Sequence, residues 1–395
     1  MKISNIDIFQ LGDRSTAGDM PWAGSEIVLK LTTSTGEVGW GESVPTLRVR
    51  SVVESLHEVA RVYNGKDPFN VEENSHEWYK HDFYLPFSFE STTALSAFDI
   101  ASWDIIGKSL GAPIHKLLGG STREKIRVYS NGWYEGCLTP SQFGEQAKQI
   151  SKHYSALKFD PFANYYDWID EEGLKAAHAR VKAIRDSTSG KVELMIEHHG
   201  RFNPNSAISI ARKLREFDPL FMEEPIHPDN FEGLRKYRRA TDVRIALGER
   251  LINKNQVLSL LSENLVDILQ PDILNIGGFT GARKVVAIAE AFGVEIAFHN
   301  AFGPIQNAAT LQIDASIPNF LIQESFYDFM PEWKKNLIKN HPKIENGYSE
   351  VPNKPGIGVD IDEKLLEDHR TSGEGFFNPS EPVWVVKSTW RETLV

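Results

Sequence analysis

The sequence contains a single cysteine, Cys137, and no long apolar segment. One cysteine cannot form an intramolecular disulfide, and it excludes a metal site built from several thiolates. No apolar run approaches the roughly 18 residues that a membrane-spanning helix needs. No basic block is present and the formal net charge is −11, which argues against nucleic acid as a partner. We therefore expect a cytoplasmic protein that binds neither membranes nor nucleic acids.

Familiar nucleotide and zinc motifs are also missing. The glycines of residues 275–281 lack the spacing of a dinucleotide-binding or Walker loop, and there is no H-E-x-x-H sequence. The chain does have length and an ordinary globular composition. Its 395 residues, 41% of them hydrophobic, can build a large core and two or three domains.

The first 125 residues predict an α+β domain. Three β-rich runs come first, at residues 3–11, 27–31 and 38–42, and a polar loop at residues 12–24 separates the first two. Residues 51–111 have a helical pattern, because apolar residues recur at helical spacing up to Gly111.

Residues 126–345 have a different pattern, in which short apolar runs alternate with longer amphipathic stretches. Eight runs are candidate strands, at residues 128–130, 156–159, 192–196, 220–222, 243–247, 266–269, 294–298 and 320–322. A strand–helix unit repeated eight times predicts a parallel (β/α)₈ barrel. We expect residues 346–395 to return to the first domain. The predicted fold is therefore α/β: a modified (β/α)₈ TIM barrel with an N-terminal α+β capping domain that the C-terminal tail completes.

Ionisable residues recur where successive predicted strands end. From the third strand onward they are spaced by 23 to 27 residues, about one strand–helix unit; the full set is Lys158, Glu197 with His199, Glu223, Glu249, Asp272, His299 and Glu324. In a barrel, the C-terminal strand ends form the face on which active sites are built. A single such residue is most often a helix-terminal or surface group. Chance is a poor explanation for seven strands in succession.

Three glutamates at neighbouring strand ends would crowd like charges, which is costly unless a cation neutralises them. Glu197, Glu223 and Glu249 offer hard oxygen ligands without a thiolate. This is the donor set that Mg²⁺ prefers, and Mn²⁺ could substitute for it. Glu224 should lie outside the ligand set, because neighbouring residues of a strand point to opposite faces.

The same alternation assigns directions to the other side chains. It predicts that His199 shares the inward face with Glu197, whereas His198 points away. Lys158 and Asp160 are likewise expected to share an inward face.

Asp272 and His299 end neighbouring predicted strands. A carboxylate beside an imidazole fixes its tautomer and raises its basicity, which makes His299 a candidate general base. A purely structural ion pair is the alternative. Glu324 is either a hydrogen-bond donor, if its pKa is raised, or a spectator carboxylate.

These segments resemble the enolase superfamily and its mandelate-racemase-like subgroup. Within that subgroup they are most similar to the sugar-acid dehydratases, above all the archaeal-type gluconate dehydratases. The resemblance covers essentially the whole chain and is carried by residues 98–104, 117–120, 157–162, 196–202, 222–225, 248–250, 270–272, 277–278 and 297–303.

The resemblance implies that the three glutamates hold Mg²⁺ and that the Asp272–His299 pair removes the proton alpha to a carboxylate. Lys158 would contact the substrate carboxylate or lie near the metal, and His199 would protonate the departing hydroxyl. Many racemases of the subgroup carry a second lysine where this chain has Asp160. That difference argues against racemisation.

The implied activity is Mg²⁺-dependent dehydration of D-gluconate to 2-keto-3-deoxy-D-gluconate. Its steps would be C2 proton abstraction, a metal-stabilised enediolate and loss of the C3 hydroxyl. D-galactonate, alone or together with gluconate, is an alternative, because the two acids differ at C4. The capping-domain loops at residues 12–24 and 44–50 are expected to face the distal hydroxyls.

More distant alternatives are an acid-sugar epimerase or cycloisomerase on the same scaffold and a barrel that binds a sugar acid without turnover. A metal-dependent hydrolase would usually need histidine-rich ligands. By family analogy, the protein is expected to be a homo-oligomer, either a dimer or an octamer.

Overall fold

The computed structural model describes residues 1–12, 24–45, 48–81 and 88–372. The loop expected at residues 12–24 therefore lies almost wholly outside the described residues, as do residues 46–47 of the second loop and the tail beyond residue 372. In the described part of the chain, no helix has both the length and the apolar character needed to cross a membrane.

The N-terminal part forms the expected α+β unit. An antiparallel sheet in the order β1-β2-β3 is followed by helices, with the bounds β1 (Ile3–Gly12), β2 (Ser25–Thr33), β3 (Val38–Ser43), α1 (Val49–Tyr63), α2 (Val71–His81), α3 (Phe89–Ser109) and α4 (Ile114–Leu117). Helix α3 is buried along most of its length. It approaches β3 closely at Gly41, where any Cβ would collide with the backbone of Ala97.

Eight parallel strands of the described chain form the barrel. They are β4 (Lys125–Ser130), β5 (Ala156–Phe159), β6 (Glu193–Glu197), β7 (Phe221–Glu223), β8 (Ile245–Leu247), β9 (Ile268–Leu269), β10 (Glu295–Ile296) and β11 (Gln323–Ser325). They pair in the order β10-β9-β8-β7-β6-β5-β4, with β11 on the free side of β4. A bridge between Ile296 and Phe320 joins β10 to the segment before β11 and closes the ring.

The eighth strand lies three residues later than predicted. Leu321 and Ile322 supply the apolar pattern, and Ile322 packs in the barrel interior. The ladder with β4 is made instead by the buried polar segment Gln323–Ser325. Hydrophobicity therefore located the core residues of this strand but missed its hydrogen-bonded part.

Helices connect the strands, with the bounds α5 (Pro140–Ile150), α6 (Glu171–Ser187), α7 (Pro204–Leu214), α8 (Phe231–Ala240), α9 (Lys254–Ser262), α10 (Gly278–Ala291) and α11 (Pro304–Ser316). Side chains of the preceding residues cap α5 to α9. Helices α10 and α11 begin after glycines and lack such a cap. Carboxylates of the capping domain replace it: Asp99 accepts from the Thr280 amide and Glu42 from the Gln306 amide.

The C-terminal segment contacts both units. Its elements are α12 (Glu332–Lys335), β12 (Ile344–Glu345), β13 (Tyr348–Glu350) and α13 (Glu363–Asp368). Strand β13 pairs with β4 in an antiparallel ladder, which the sequence did not predict. The chain then returns to the cap, where Gly12 donates to the carbonyl of His369 and Thr371 donates to that of Gln10.

Candidate active site

Three glutamates meet at the C-terminal ends of the barrel strands, and two of them are buried while Glu249 is partly exposed. Glu197 and Glu223 are paired in register at the ends of β6 and β7, and Glu249 lies two residues beyond β8. One carboxylate oxygen from each lies within 4.8 Å of the others. The structure thus brings together the three residues that the sequence suggested as metal ligands.

Lys158 lies inside this cluster of carboxylates. Its Nζ is 2.5 Å from Glu223 Oε1, 2.7 Å from Glu324 Oε1 and 3.3 Å from Glu197 Oε2. Burial alone would lower the pKa of Lys158, but Glu223 and Glu324 outweigh it and raise the pKa well above its usual value. Lys158 is therefore charged and offsets part of the negative charge.

Full ionisation of the three glutamates would give more negative charge than Lys158 can offset. Burial, reinforced by the charge of Glu197, raises the pKa of Glu223 well above its usual value. Burial also raises the pKa of Glu197, although Lys158 opposes this shift. Ionising both groups is therefore costly until further positive charge is supplied. Oxygen donors without a thiolate fit a hard divalent cation.

A second pair of ionisable groups lies beside the cluster. His299 Nδ1 is 2.6 Å from Asp272 Oδ2, and Asp272 is fully buried. This contact places the proton of neutral His299 on Nδ1 and leaves Nε2 as the lone-pair nitrogen. Nε2 lies 3.6 Å from Glu249 and 3.9 Å from Glu324, so it faces the cluster.

The charge around His299 also affects its protonation. Burial would lower the pKa of His299, but Glu249 and the hydrogen bond with Asp272 raise it to about 10. A general base must be neutral, and positive charge added to the carboxylate cluster favours that form. The His299 environment therefore points to the same cation as the three glutamates.

His199 forms a separate histidine–carboxylate pair on the far side of the barrel. It follows β6 with a φ of +53°, and its amide donates to Glu197 Oε1 at 2.6 Å. Its Nδ1 lies 3.3 Å from Asp160 Oδ2, and Arg201 binds both oxygens of Asp160 at 2.7 and 3.0 Å. Burial would raise the pKa of Asp160, but Arg201 outweighs it and the pKa is lowered.

The neighbours of these residues point elsewhere, as strand alternation predicts. His198 is fully buried, with its ring centroid 4.8 Å from that of Phe162, and burial lowers its pKa to about 3. Glu224 contacts Arg250 at 2.8 Å and is not among the three glutamates whose oxygens converge.

Glu324 is a buried acceptor in β11. It accepts hydrogen bonds from the Asn131 side chain at 2.8 Å and the Asn300 amide at 2.9 Å. Burial would raise its pKa, but Lys158 and His299 outweigh this effect and lower it to about 2. The raised pKa that a donor role requires is therefore absent, because two cations face the carboxylate.

Sequence reasoning missed the amide side chains that orient the ionisable groups. Gln270 donates to Glu223 at 2.6 Å, and Gln306 donates to Asp272 at 2.8 Å. Gln270 directly follows a predicted strand, which is the signal that could have found it. Gln306 lies inside a helix, and nothing in the sequence marks it.

Comparison with known proteins identifies the family to which this architecture belongs. Residues 22–119 match the family described as the mandelate racemase / muconate lactonizing enzyme N-terminal domain. Residues 142–365, more than half of the chain, match the family described as enolase C-terminal domain-like. The chain belongs to the enolase superfamily. Enolase-superfamily membership confirms the resemblance and the fold class expected from the sequence.

Individual members of the superfamily are similar over nearly the whole chain. The D-gluconate dehydratase of Thermoproteus tenax is 47% identical over 98% of this chain and 78% of its own length. The D-gluconate/D-galactonate dehydratase of Picrophilus torridus is 47% identical over 98% of this chain and 99% of its own length. The crystal structure of a mandelate racemase/muconate lactonizing enzyme from Jannaschia sp. CCS1 superposes with a TM-score of 0.87 at 29% identity, covering 94% of this chain and 98% of that one.

Proposed function

We propose that this enzyme dehydrates a sugar acid, D-gluconate in the first place, to the 2-keto-3-deoxy acid. One observation carries the proposal: two histidine–carboxylate pairs flank the glutamate cluster. His199 follows β6 and His299 follows β10, four strands apart in a ring of eight. The pairs therefore lie on opposite sides of the barrel mouth. Loss of water needs this arrangement, with a base at C2 and an acid at C3 of one bound substrate.

The proton transfers follow from the two pairs. His299 Nε2 accepts the C2 proton while Asp272 holds Nδ1–H and stabilises the imidazolium that forms. His199 donates a proton to the C3 hydroxyl as the C3–O bond breaks and water leaves. The resulting enol takes up a proton at C3 and becomes the 2-keto acid. Each acid–base step contributes roughly 10²–10⁴-fold to the rate.

We infer that Glu197, Glu223 and Glu249 would hold Mg²⁺, with Mn²⁺ as a substitute. The ion would supply a Lewis acid for the charge that develops on the substrate carboxylate. Lys158, charged and buried among the carboxylates, offers a second cationic contact for the same group. Asp272, Gln270 and Asn300 keep the surrounding groups in place through hydrogen bonds.

Asp160 favours dehydration over epimerisation. An epimerase needs a proton-transferring group on each face of C2. Asp160 occupies the position where the racemases carry their second lysine, and Arg201 holds both of its oxygens. Arg201 also keeps its pKa low, so Asp160 cannot return a proton to C2.

D-galactonate is the second candidate substrate. The Picrophilus torridus relative carries both acids in its name, and both share the C2 and C3 configurations on which the two histidines act. A cytoplasmic homo-oligomer, either a dimer or an octamer, and domain divisions near residues 125 and 345 are further proposals that rest on the family and the sequence pattern.

A substrate panel tests the proposed function. Purified enzyme with Mg²⁺ is given D-gluconate, D-galactonate and D-mannonate, and 2-keto acid formation is measured. We expect product from gluconate and galactonate and none from mannonate, the C2 epimer, because its C2 proton faces away from His299. C2 deuterium exchange without water loss would instead identify an epimerase.

A further inference from the structure

Helix α11 of the barrel begins against a buried cluster of the capping domain. Glu26 and Glu42 lie on β2 and β3 and have no exposed surface. The first residue before the helix is Gly303, and a Cβ there would collide with both carboxyl groups. Glu42 Oε2 accepts the Gln306 amide at 2.8 Å and so caps the first turn of α11.

Lys334 forms an ion pair within this cluster. Lys334 Nζ lies 2.9 Å from Glu26 Oε2 and donates to the Ser25 carbonyl at 2.9 Å. Burial raises the pKa of Glu42 well above its usual value, and the charge of Glu26 adds to this shift. Burial also raises the pKa of Glu26, although Lys334 opposes that shift.

Gln306, whose backbone amide binds Glu42, also contacts Asp272, the partner of the proposed base. Gln306 Oε1 accepts the Phe302 amide at 2.8 Å, which fixes the orientation of the side-chain amide. Its Nε2 therefore points to Asp272 and donates to Oδ1 at 2.8 Å. The Leu274 amide is the second donor to Oδ1, at 2.7 Å, and Oδ2 is left to bind His299.

We infer that Gln306 is a positioning residue for the Asp272–His299 pair, and that Glu42 holds Gln306 in place from the capping domain. The inference rests on the proposed function, in which His299 is the base. The carboxylate torsion of Asp272 is intrinsically broad, so donors on Oδ1 decide where Oδ2 points. Without Gln306, the Leu274 amide is left as the donor to Oδ1, so the carboxylate rotates more freely and the imidazole loses its fixed direction.

The first experiment replaces the side-chain amide without changing its length. In Gln306→Met, we expect kcat for dehydration and for C2 deuterium exchange to fall together by about tenfold or more, since small misplacements of a reacting group can cost up to about 10²-fold. KM and Mg²⁺ affinity should stay within about twofold of wild type, because neither the ligands nor the substrate contacts change. A folded Gln306→Met enzyme with wild-type kcat overturns the inference.

A second set of variants separates positioning from stability. Glu42→Gln keeps an acceptor for the Gln306 amide and a donor toward Glu26, so it should retain kcat, whereas Glu42→Met should lower it. Asp99→Leu is the matched control, because it removes the corresponding cap from α10 without touching the base pair. Both cap-removing variants should lower Tm. Equal kcat in folded Glu42→Met and Asp99→Leu would show that Glu42 acts on stability alone and would overturn its role.

Crystal structures give a readout that does not depend on turnover. In Gln306→Met, we expect Asp272 or His299 to rotate away from the 2.6 Å contact or to occupy two conformers. An unmoved pair overturns the inference. Wild-type enzyme that neither exchanges C2 nor dehydrates any sugar acid would refute the proposed function, and the crystal structures would still decide whether Gln306 positions the pair.

Discussion

The two active-site histidines have different partners, and this difference sets their proposed roles. His299 contacts a carboxylate that is held by amide donors, whereas His199 contacts a carboxylate that Arg201 already neutralises. Asp272 can therefore stabilise an imidazolium, as a base requires. Burial lowers the pKa of His199, although Asp160 opposes this shift, so a protonated His199 gives up its proton readily.

Substitution of the histidines should separate the two proton transfers. His299→Asn should lower the rates of both C2 exchange and dehydration by about 10²-fold or more. His199→Asn should stop dehydration but leave slow C2 exchange, because the base remains. Both rates are measured by NMR in deuterated water, with metal binding checked in each variant.

His198→Asn is the neighbouring control, since His198 packs against Phe162 away from the cluster. It should affect turnover only mildly. If His198→Asn loses dehydration while His199→Asn keeps it, the assignment of His199 as the acid is wrong.

The two adjacent glutamates at the end of β7 should differ in their effect on metal binding. We expect Glu223→Gln to weaken Mg²⁺ affinity by about tenfold or more, and Glu224→Gln to weaken it much less, because Glu224 contacts Arg250 instead. Calorimetric titration of the two variants measures the difference. Equal losses would contradict the assigned ligand set.

Elements, rather than single residues, show where sequence reasoning succeeds and fails. The alternation rule gave the direction of Glu223 because β7 is a regular strand up to that residue, but Glu224 follows the strand with a φ of +38°. It does not apply to His199, since β6 ends at Glu197 and a left-handed turn carries His199. His199 does lie beside Glu197 as expected, but the left-handed turn and the hydrogen bond from its amide to Glu197 place it there. Asp160–Arg201 pairing could not be anticipated, because it joins two loops.

The cap of α10 predicts a pH-dependent stability. Burial raises the pKa of Asp99 to about 7, while Thr280 opposes the shift and Glu72 adds to it. A raised carboxyl pKa means that the native state binds the proton more tightly, so stability is full below about pH 4 and is lost as the pH rises to about 7. About three pKa units correspond to at most roughly 4 kcal/mol.

Asp99→Asn removes this titration while keeping an acceptor for the Thr280 amide. The Tm of wild type should therefore fall relative to that of Asp99→Asn between about pH 4 and 7, as followed by circular dichroism. Parallel Tm curves for the two proteins would show that Asp99 does not titrate in this range.

For the whole molecule, repetition made the fold predictable. Eight strand–helix units are visible in the sequence because each buries an apolar strand, and the ionisable residues after them mark one face. The pairing of β13 with β4 was not visible, since Tyr348–Glu350 alternates too briefly to stand out. The sequence also did not predict that capping-domain carboxylates cap α10 and α11, because these bonds join residues more than 180 positions apart.

Metal removal tests the site as a unit. Treatment with a chelator should abolish activity, and Mg²⁺ should restore it, because buried glutamates need a compensating cation. Mg²⁺ should also raise Tm, and above the dissociation constant the rise should follow the logarithm of its concentration, since it binds the native state. Full activity in metal-free enzyme would refute the assignment of the three glutamates.

The closure of the barrel has a mechanical consequence. Most neighbouring strands in the described ring share a ladder, but β10 meets the last segment through the Ile296–Phe320 bridge and the bonds of Ile296 with Asn319 and Leu321. This seam, like the single Ser130–Leu157 pair that joins β4 to β5, has few backbone hydrogen bonds, and it lies between the segments that carry His299 and Glu324. We therefore expect local opening of the barrel at this seam to displace His299 first. His199 and the three glutamates follow β6 to β8 or end them, and ladders join these strands.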